Sequence, residues 1–164
     1  MNASAISRRT AATLAGAAPI MFALFLNAPQ AAADTTACPA PGTAATANAA
    51  GGAQCSASST GGAAAAYGLD GRASADADPT SLSLAIAQGG GTATSDAATL
   101  TGPAAIAIGP GSTVTAVGVR PGLSIGIAGP GATVSITGTA GPTCTGGVGF
   151  AGDFQTLQGC LSLG

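Results

Sequence analysis

Residues 109–118 read GPGSTVTAVG and residues 129–138 read GPGATVSITG, identical at six of ten positions across an offset of twenty. The phrase recurs more loosely nearby. PGLSIGIAG (121–129) keeps the Pro-Gly, a Ser two residues on, a β-branched residue next and a closing Gly, and GPAAIAIG (102–109) reads as a shortened copy. Pro-Gly presets a turn, because Pro fixes its own φ and Gly accepts a positive one. Between turns the side chains alternate: Leu82, Leu84 and Ile86 share one phase, as do Ile106 and Ile108, Leu123, Ile125 and Ile127, and Val134 and Ile136. The opposite phase is Ser, Thr, Ala or Gly. Period-two alternation with β-branched residues predicts strands of about five to eight residues.

Two all-β architectures accommodate that pattern. In a β-solenoid or β-roll of about four coils, each coil stacks about 4.8 Å above the last, and in-step phrases occupy equivalent places on successive rungs. Such a coil would place a line of Val and Ile inside and a line of Ser and Thr outside. Glycines at 71, 91, 111 and 131 follow the same twenty-residue step. The alternative is an antiparallel β-meander or sandwich, also compatible with regular turns. The in-step repeat favours the solenoid. Residues 63–145 are assigned to the repeat, 34–62 to a loop-rich N-terminal segment without apolar pattern, and 146–164 to a C-terminal cap, helix or strand, carrying Phe150, Phe154, Leu157 and Leu161.

The first 33 residues have a different character. Arg8 and Arg9 precede an uncharged stretch, Ala11 to Leu26, and Ala31 and Ala33 stand ready for cleavage before Asp34. Charged head, apolar middle and A-x-A tail form a secretory signal peptide, too short for a full membrane span. Cleavage would leave 131 residues with two Arg and six Asp, a net charge of −4. That balance offers no electrostatic hold on nucleic acid or on anionic lipid. All four cysteines, Cys38, Cys55, Cys144 and Cys160, follow the cut. An even number in an exported chain points to disulfides. Spacing favours Cys38–Cys55 and Cys144–Cys160, one at each end of the repeat. Zinc and redox chemistry lack the C-x-x-C unit they need.

Candidates for chemistry are few. The chain holds no His, no Lys and no Glu, so general acid–base work falls to aspartate alone. No G-x-S-x-G or S-x-x-K pattern activates a serine. Asp70, Asp76 and Asp78, near the sole tyrosine Tyr67, form the one local acidic cluster. They read as solubilising charges on turns, or alternatively as weak Ca²⁺ ligands on a ligand-binding or adhesive module. The T-x-T stretches at 92, 99 and 113 could line one solenoid face.

AIAIGPGSTVTAVG (105–118) resembles the head repeats of trimeric autotransporter adhesins, which implies a β-roll and an adhesive surface. Across most of the mature region the chain is similar to small exported actinobacterial (mycobacterial-type) proteins of unknown function. The features that carry this are the signal peptide, the early cysteine pair, AYGLDG (66–71), the small-residue repeats and the terminal Cys160-Leu161. That resemblance implies export and lends no activity. The expectation is a secreted or cell-envelope protein, non-catalytic, without cofactor or metal. An envelope or surface protein is its possible partner, and no membrane span remains after cleavage.

Overall fold

The computed structural model describes residues 33–164, so the signal-peptide segment lies outside the described residues. What it shows is a β-solenoid of about four turns with twelve strands. Two long antiparallel strands, β1 (Thr35–Ala50) and β2 (Ala53–Leu69), open the chain. Each later coil gives one short strand to each of two facing walls. Wall A stacks β3 (Arg72–Ala77), β5 (Thr92–Ala97), β7 (Thr113–Gly118) and β9 (Ala132–Ile136) in parallel on the first half of β2. Wall B stacks β4 (Leu82–Gln88), β6 (Thr101–Ile108) and β8 (Gly122–Ala128) on its second half. The end is closed by antiparallel strands: β10 (Thr143–Gly146) on β9, then β11 (Val148–Asp153) on β8 and β12 (Gln158–Leu163) on β11.

The near-identical decapeptides do lie one above the other. Thr113 pairs with Thr133, Val114 with Val134, Thr115 with Ser135 and Ala116 with Ile136. The glycine ladder is less regular than its spacing implies. Arg72 N–H donates to Gly91 O, whereas Thr92 N–H donates to Ser112 O. The coil between β5 and β7 therefore holds one extra residue, and Gly111 stands a place out of line with Gly91.

Residues 34–62, read from the sequence as loop, are instead mostly strand. A run of Ala, Ser and Thr has no hydrophobic periodicity to detect, but its backbone still pairs: β1 with β2, and β2 with β1 on one side and with β3 and β4 on the other. β1 and β2 run opposed from Thr35–Leu69 to Ala50–Ala53, with one register shift at Gly42/Thr43. The C-terminal cap is strand as well.

Both disulfides form as the spacing favoured, Cys38–Cys55 and Cys144–Cys160. Each crosses the interior. Cys38 lies opposite Ala66 on the wall B half of the opening hairpin, and Cys55 continues to Ala73 on wall A. Cys144 lies opposite Val134 on wall A, and Cys160 opposite Ala151 on wall B. One covalent tie thus joins the two walls at each end of the coil. The Cα–Cα distances, 5.8 and 5.7 Å, also measure how close the walls come there. Ordinary sheet packing keeps them about 10 Å apart.

That closeness dictates the core. Eighteen of the 23 buried apolar residues are alanine. Of the 22 Leu, Ile, Val, Phe and Tyr residues after position 33, just Val114, Val134 and Ile136 are buried. The expected interior line of Val and Ile therefore holds on wall A alone. On wall B it is inverted: Ser83, Ala85 and Ala87 point inward while Leu82, Leu84 and Ile86 point out. The same inversion holds at Ala105 and Ala107 against Ile106 and Ile108, and at Ser124 and Gly126 against Leu123, Ile125 and Ile127. Where wall A brings in large side chains, wall B answers with Gly126.

Buried hydroxyls tie the walls together. Ser83 Oγ on wall B donates to Ser95 O and lies 2.8 Å from Ser95 Oγ on wall A, which donates onward to Pro103 O on wall B at 3.0 Å. At the corners Ser81, Thr101 and Ser112 each donate to the carbonyl three residues back, at 2.7–2.8 Å. A turn carbonyl without such a partner would be costly to bury.

Candidate interaction surface

The two outer surfaces differ in chemistry. Outside wall A the parallel register aligns polar side chains in ladders: Arg72, Thr92, Thr113 and Thr133 in one, Ser74, Thr94, Thr115 and Ser135 in the next. The T-x-T pairs at 92 and 113 stack as expected, while the third, at 99–101, leads from a corner into β6, where Thr101 is buried opposite Gly122, and adds nothing to the polar exterior of wall A. A third ladder runs Ser58, Asp76, Asp96 and Val117.

Asp76 and Asp96 are cross-strand neighbours, and Asp76 accepts a 2.7 Å hydrogen bond from Ser58 Oγ. Partial burial, with Asp76 and then Asp78 nearby, raises the Asp96 pKa above its ordinary 3.8. Because the folded carboxyl holds its proton to higher pH than the unfolded one, ionisation works against folding. Stability is fullest below the ordinary value and declines as pH rises from 3.8 through the folded value. Asp96→Asn is therefore expected to melt about 1–3 °C higher than the parent at pH 7 and level with it near pH 3. Melting curves at the two pH values check this; a lower melting temperature for the variant at pH 7 would contradict it.

The aspartates singled out from the sequence are not gathered into one site. Asp70, at a φ of 53°, occupies the turn before β3, while Asp78 lies just past its far end, about 20 Å along the strand. Among the described residues no group of three or more His, Cys, Asp or Glu side chains is placed to hold a metal.

Wall B presents the opposite character. Register aligns Tyr67, Ile86, Ile106, Ile127, Phe150 and Leu161 in one unbroken apolar ladder across six strands. Beside it runs a second ladder, Ala65, Leu84, Ala104, Ile125 and Gly152. Flanking these, Leu82 and Leu123 stand 63% and 62% exposed with Gly102 between them, and Val148, Leu161 and Leu163 are exposed at the cap. No charged residue faces outward from wall B between Ala63 and Leu163. The surface is gently hollowed: a depression of about 310 Å³ is lined by Leu82, Leu84, Gly102, Ala104 and Leu123, and another of about 320 Å³ by Ile108, Ile127, Val148, Phe150 and Leu161. Contiguous apolar area beyond a few hundred Å² is rare on a monomer's free surface and marks a place of contact.

The sequence reading placed the line of Val and Ile inside the coil, whereas on wall B it faces outward. Alternation says which side chains share a phase and is silent on which phase faces inward. A usable signal was present. On wall B the inward phase is small (Ser83, Ala85, Ala87; Ala105, Ala107; Ser124, Gly126, Ala128), while the outward phase varies in size from rung to rung.

Two cross-wall disulfides fit an oxidising, extracytoplasmic setting, and no described helix is long and apolar enough to cross a membrane. Residues 3–163 match the model of a family described as a family of unknown function (DUF6764). No curated protein and no solved structure matches the chain.

Proposed function

The chain belongs to that family of unknown function, and we propose that it is an exported, non-catalytic interaction module whose working surface is the outer side of wall B. The observation that carries the reading is the extended, uncharged, apolar exterior of that wall on a coil held rigid by two disulfides. The large side chains stand outside, where only contact with another surface would bury them. Catalysis has little to draw on. A chain with aspartate as its sole acid and no His or Lys lacks the usual proton-transfer groups, and the raised carboxyl of Asp96 sits on an open wall rather than in a cleft. Export is supported by the leader pattern and the disulfides together.

Site-specific photocrosslinking in the source cell tests the reading. A photoreactive residue replacing Ile106, outside wall B, is expected to give discrete protein adducts in the extracellular or envelope fraction, and the same residue replacing Thr115, outside wall A, is not. Intact mass of the captured protein should show loss of the leader and four fewer hydrogens than the reduced chain. Absence of adducts at Ile106, or adducts confined to Thr115, would remove wall B as the working surface.

A further inference from the structure

Resting on that reading of wall B, we propose that its partner is a second copy of the same chain, docked wall B to wall B about a two-fold axis. The relief of the surface points there. Beside the evenly large ladder from Tyr67 to Leu161, the outward side chains of the next two ladders alternate in size: Leu84 and Ile125 project from rungs on either side of Ala104, and Leu82 and Leu123 from either side of Gly102. With rungs about 4.8 Å apart, projections recur at about 9.6 Å and hollows fall midway. Leu123 of the same chain leans over Gly102, so the open hollow is at Ala104; a copy displaced by one rung sets a large side chain of the Leu84 and Ile125 ladder into it, and two-fold symmetry makes the fit reciprocal. The 310 Å³ depression is this hollow.

Size and charge agree with the shape. Wall B spans six strands from β2 to β12, about 29 Å by about 23 Å at ordinary strand spacing and rise, so that a face-to-face pair covers on the order of 1,300 Å² in total, within the range of stable specific interfaces. No ionised side chain lies on the face, so pairing identical copies brings no like charges together. The aspartates sit on wall A, at turns, or inside, as Asp153 does at 2% exposure. A lipid surface suits the same apolarity less well. It gains nothing from alternating relief, and the face carries no Lys or Arg to meet headgroups.

Sedimentation of the purified protein with both disulfides intact, at micromolar concentration, is expected to give twice the chain mass. Ala104→Glu, whose side chain points to solvent in a single copy, should halve that mass with circular dichroism unchanged. Ala104→Leu separates interlocking from mere greasiness: it adds apolar area but fills the hollow, and is expected to weaken the dimer at least tenfold. A dimer that Ala104→Leu leaves unchanged or tightens overturns the interlocked pairing. A wild-type monomer overturns the second copy altogether, and two further readouts then identify the occupant. Adducts from Ile106 to a different protein keep the interaction reading with another partner; flotation with neutral phosphatidylcholine vesicles assigns the face to lipid. No adduct of any kind from Ile106 sinks the interaction reading itself.

Discussion

Gly126→Val is expected to lower stability by roughly 3 kcal/mol and the melting temperature by about 10 °C. Gly126 lies on the inward phase of β8, and a Cβ added there would sit 2.8 Å from Val114 Cγ1, 3.2 Å from Val134 Cγ1 and 3.4 Å from Ile136 Cδ1. Among the described residues these are the three buried branched aliphatic side chains, and two of them are valines with a single stiff rotor. They cannot swing aside, and the wall behind them is held by parallel ladders to its neighbours. A branched side chain therefore forces the walls apart. Shape, rather than polarity, is the cause, which a second variant can show. Gly126→Ala alone should cost part of that amount, and adding Val114→Ala should return some of it, a coupling of about 1 kcal/mol between sites that face each other. Ile125→Val, one residue away but outward, should change stability by less than about 0.5 kcal/mol in a single copy. Urea midpoints for these four variants and for Val114→Ala alone measure all of this; a Gly126→Val protein with an unshifted midpoint would mean the interior is not as narrow as the alanine rows imply.

The second large effect belongs to the covalent ties. Replacing Cys38 and Cys55 together by alanine should cost about 3 kcal/mol, and replacing Cys144 and Cys160 should cost about the same, since the closed loops have nearly equal sequence separations of 17 and 16. Removing both approaches the entire stability of a small domain, about 5–15 kcal/mol, so the fully reduced protein is expected to be largely unfolded near 37 °C. Location matters as much as magnitude. In a stacked coil each rung is held by its neighbours, and loosening starts at an end. Loss of Cys38–Cys55 should thus deprotect backbone amides in β1 and the first half of β2 before those of β7 and β9, and loss of Cys144–Cys160 should deprotect β10 and β12 first. Hydrogen exchange by mass spectrometry reads the order. Uniform deprotection, or a melting temperature that ignores the pair, would refute the picture of two end clamps on a linear stack.

Both effects follow from a core with little hydrophobic depth. With alanine supplying most of the buried apolar surface, each inward side chain contributes little on its own. The fold depends instead on continuous parallel hydrogen bonding, hydroxyls that bridge the walls, and covalent closure. That economy has a consequence for contact: leucines and isoleucines not needed inside are available outside, and wall B shows them.

Much of this was decided by the order of residues alone. A turn phrase repeated at twenty residues with strand alternation between copies makes a stack of short strands, and Val114 and Val134 find equivalent rungs because the same phrase carries both. Four cysteines at the two ends of the repeat, with no ligand-type spacing, make two local bridges. The strands at 35–69 were not legible, because Ala and Ser alternate without contrast and their pairing comes from neighbours already in place. Alternation alone did not give the direction of wall B, since period two is the same viewed from either side; the uniformly small phase was the one sequence signal for it. Tertiary structure settled it through space: the interior is lined mostly by alanine, and Val114, Val134 and Ile136 of wall A already fill it up to Gly126 of wall B, so the larger phase of wall B turned outward.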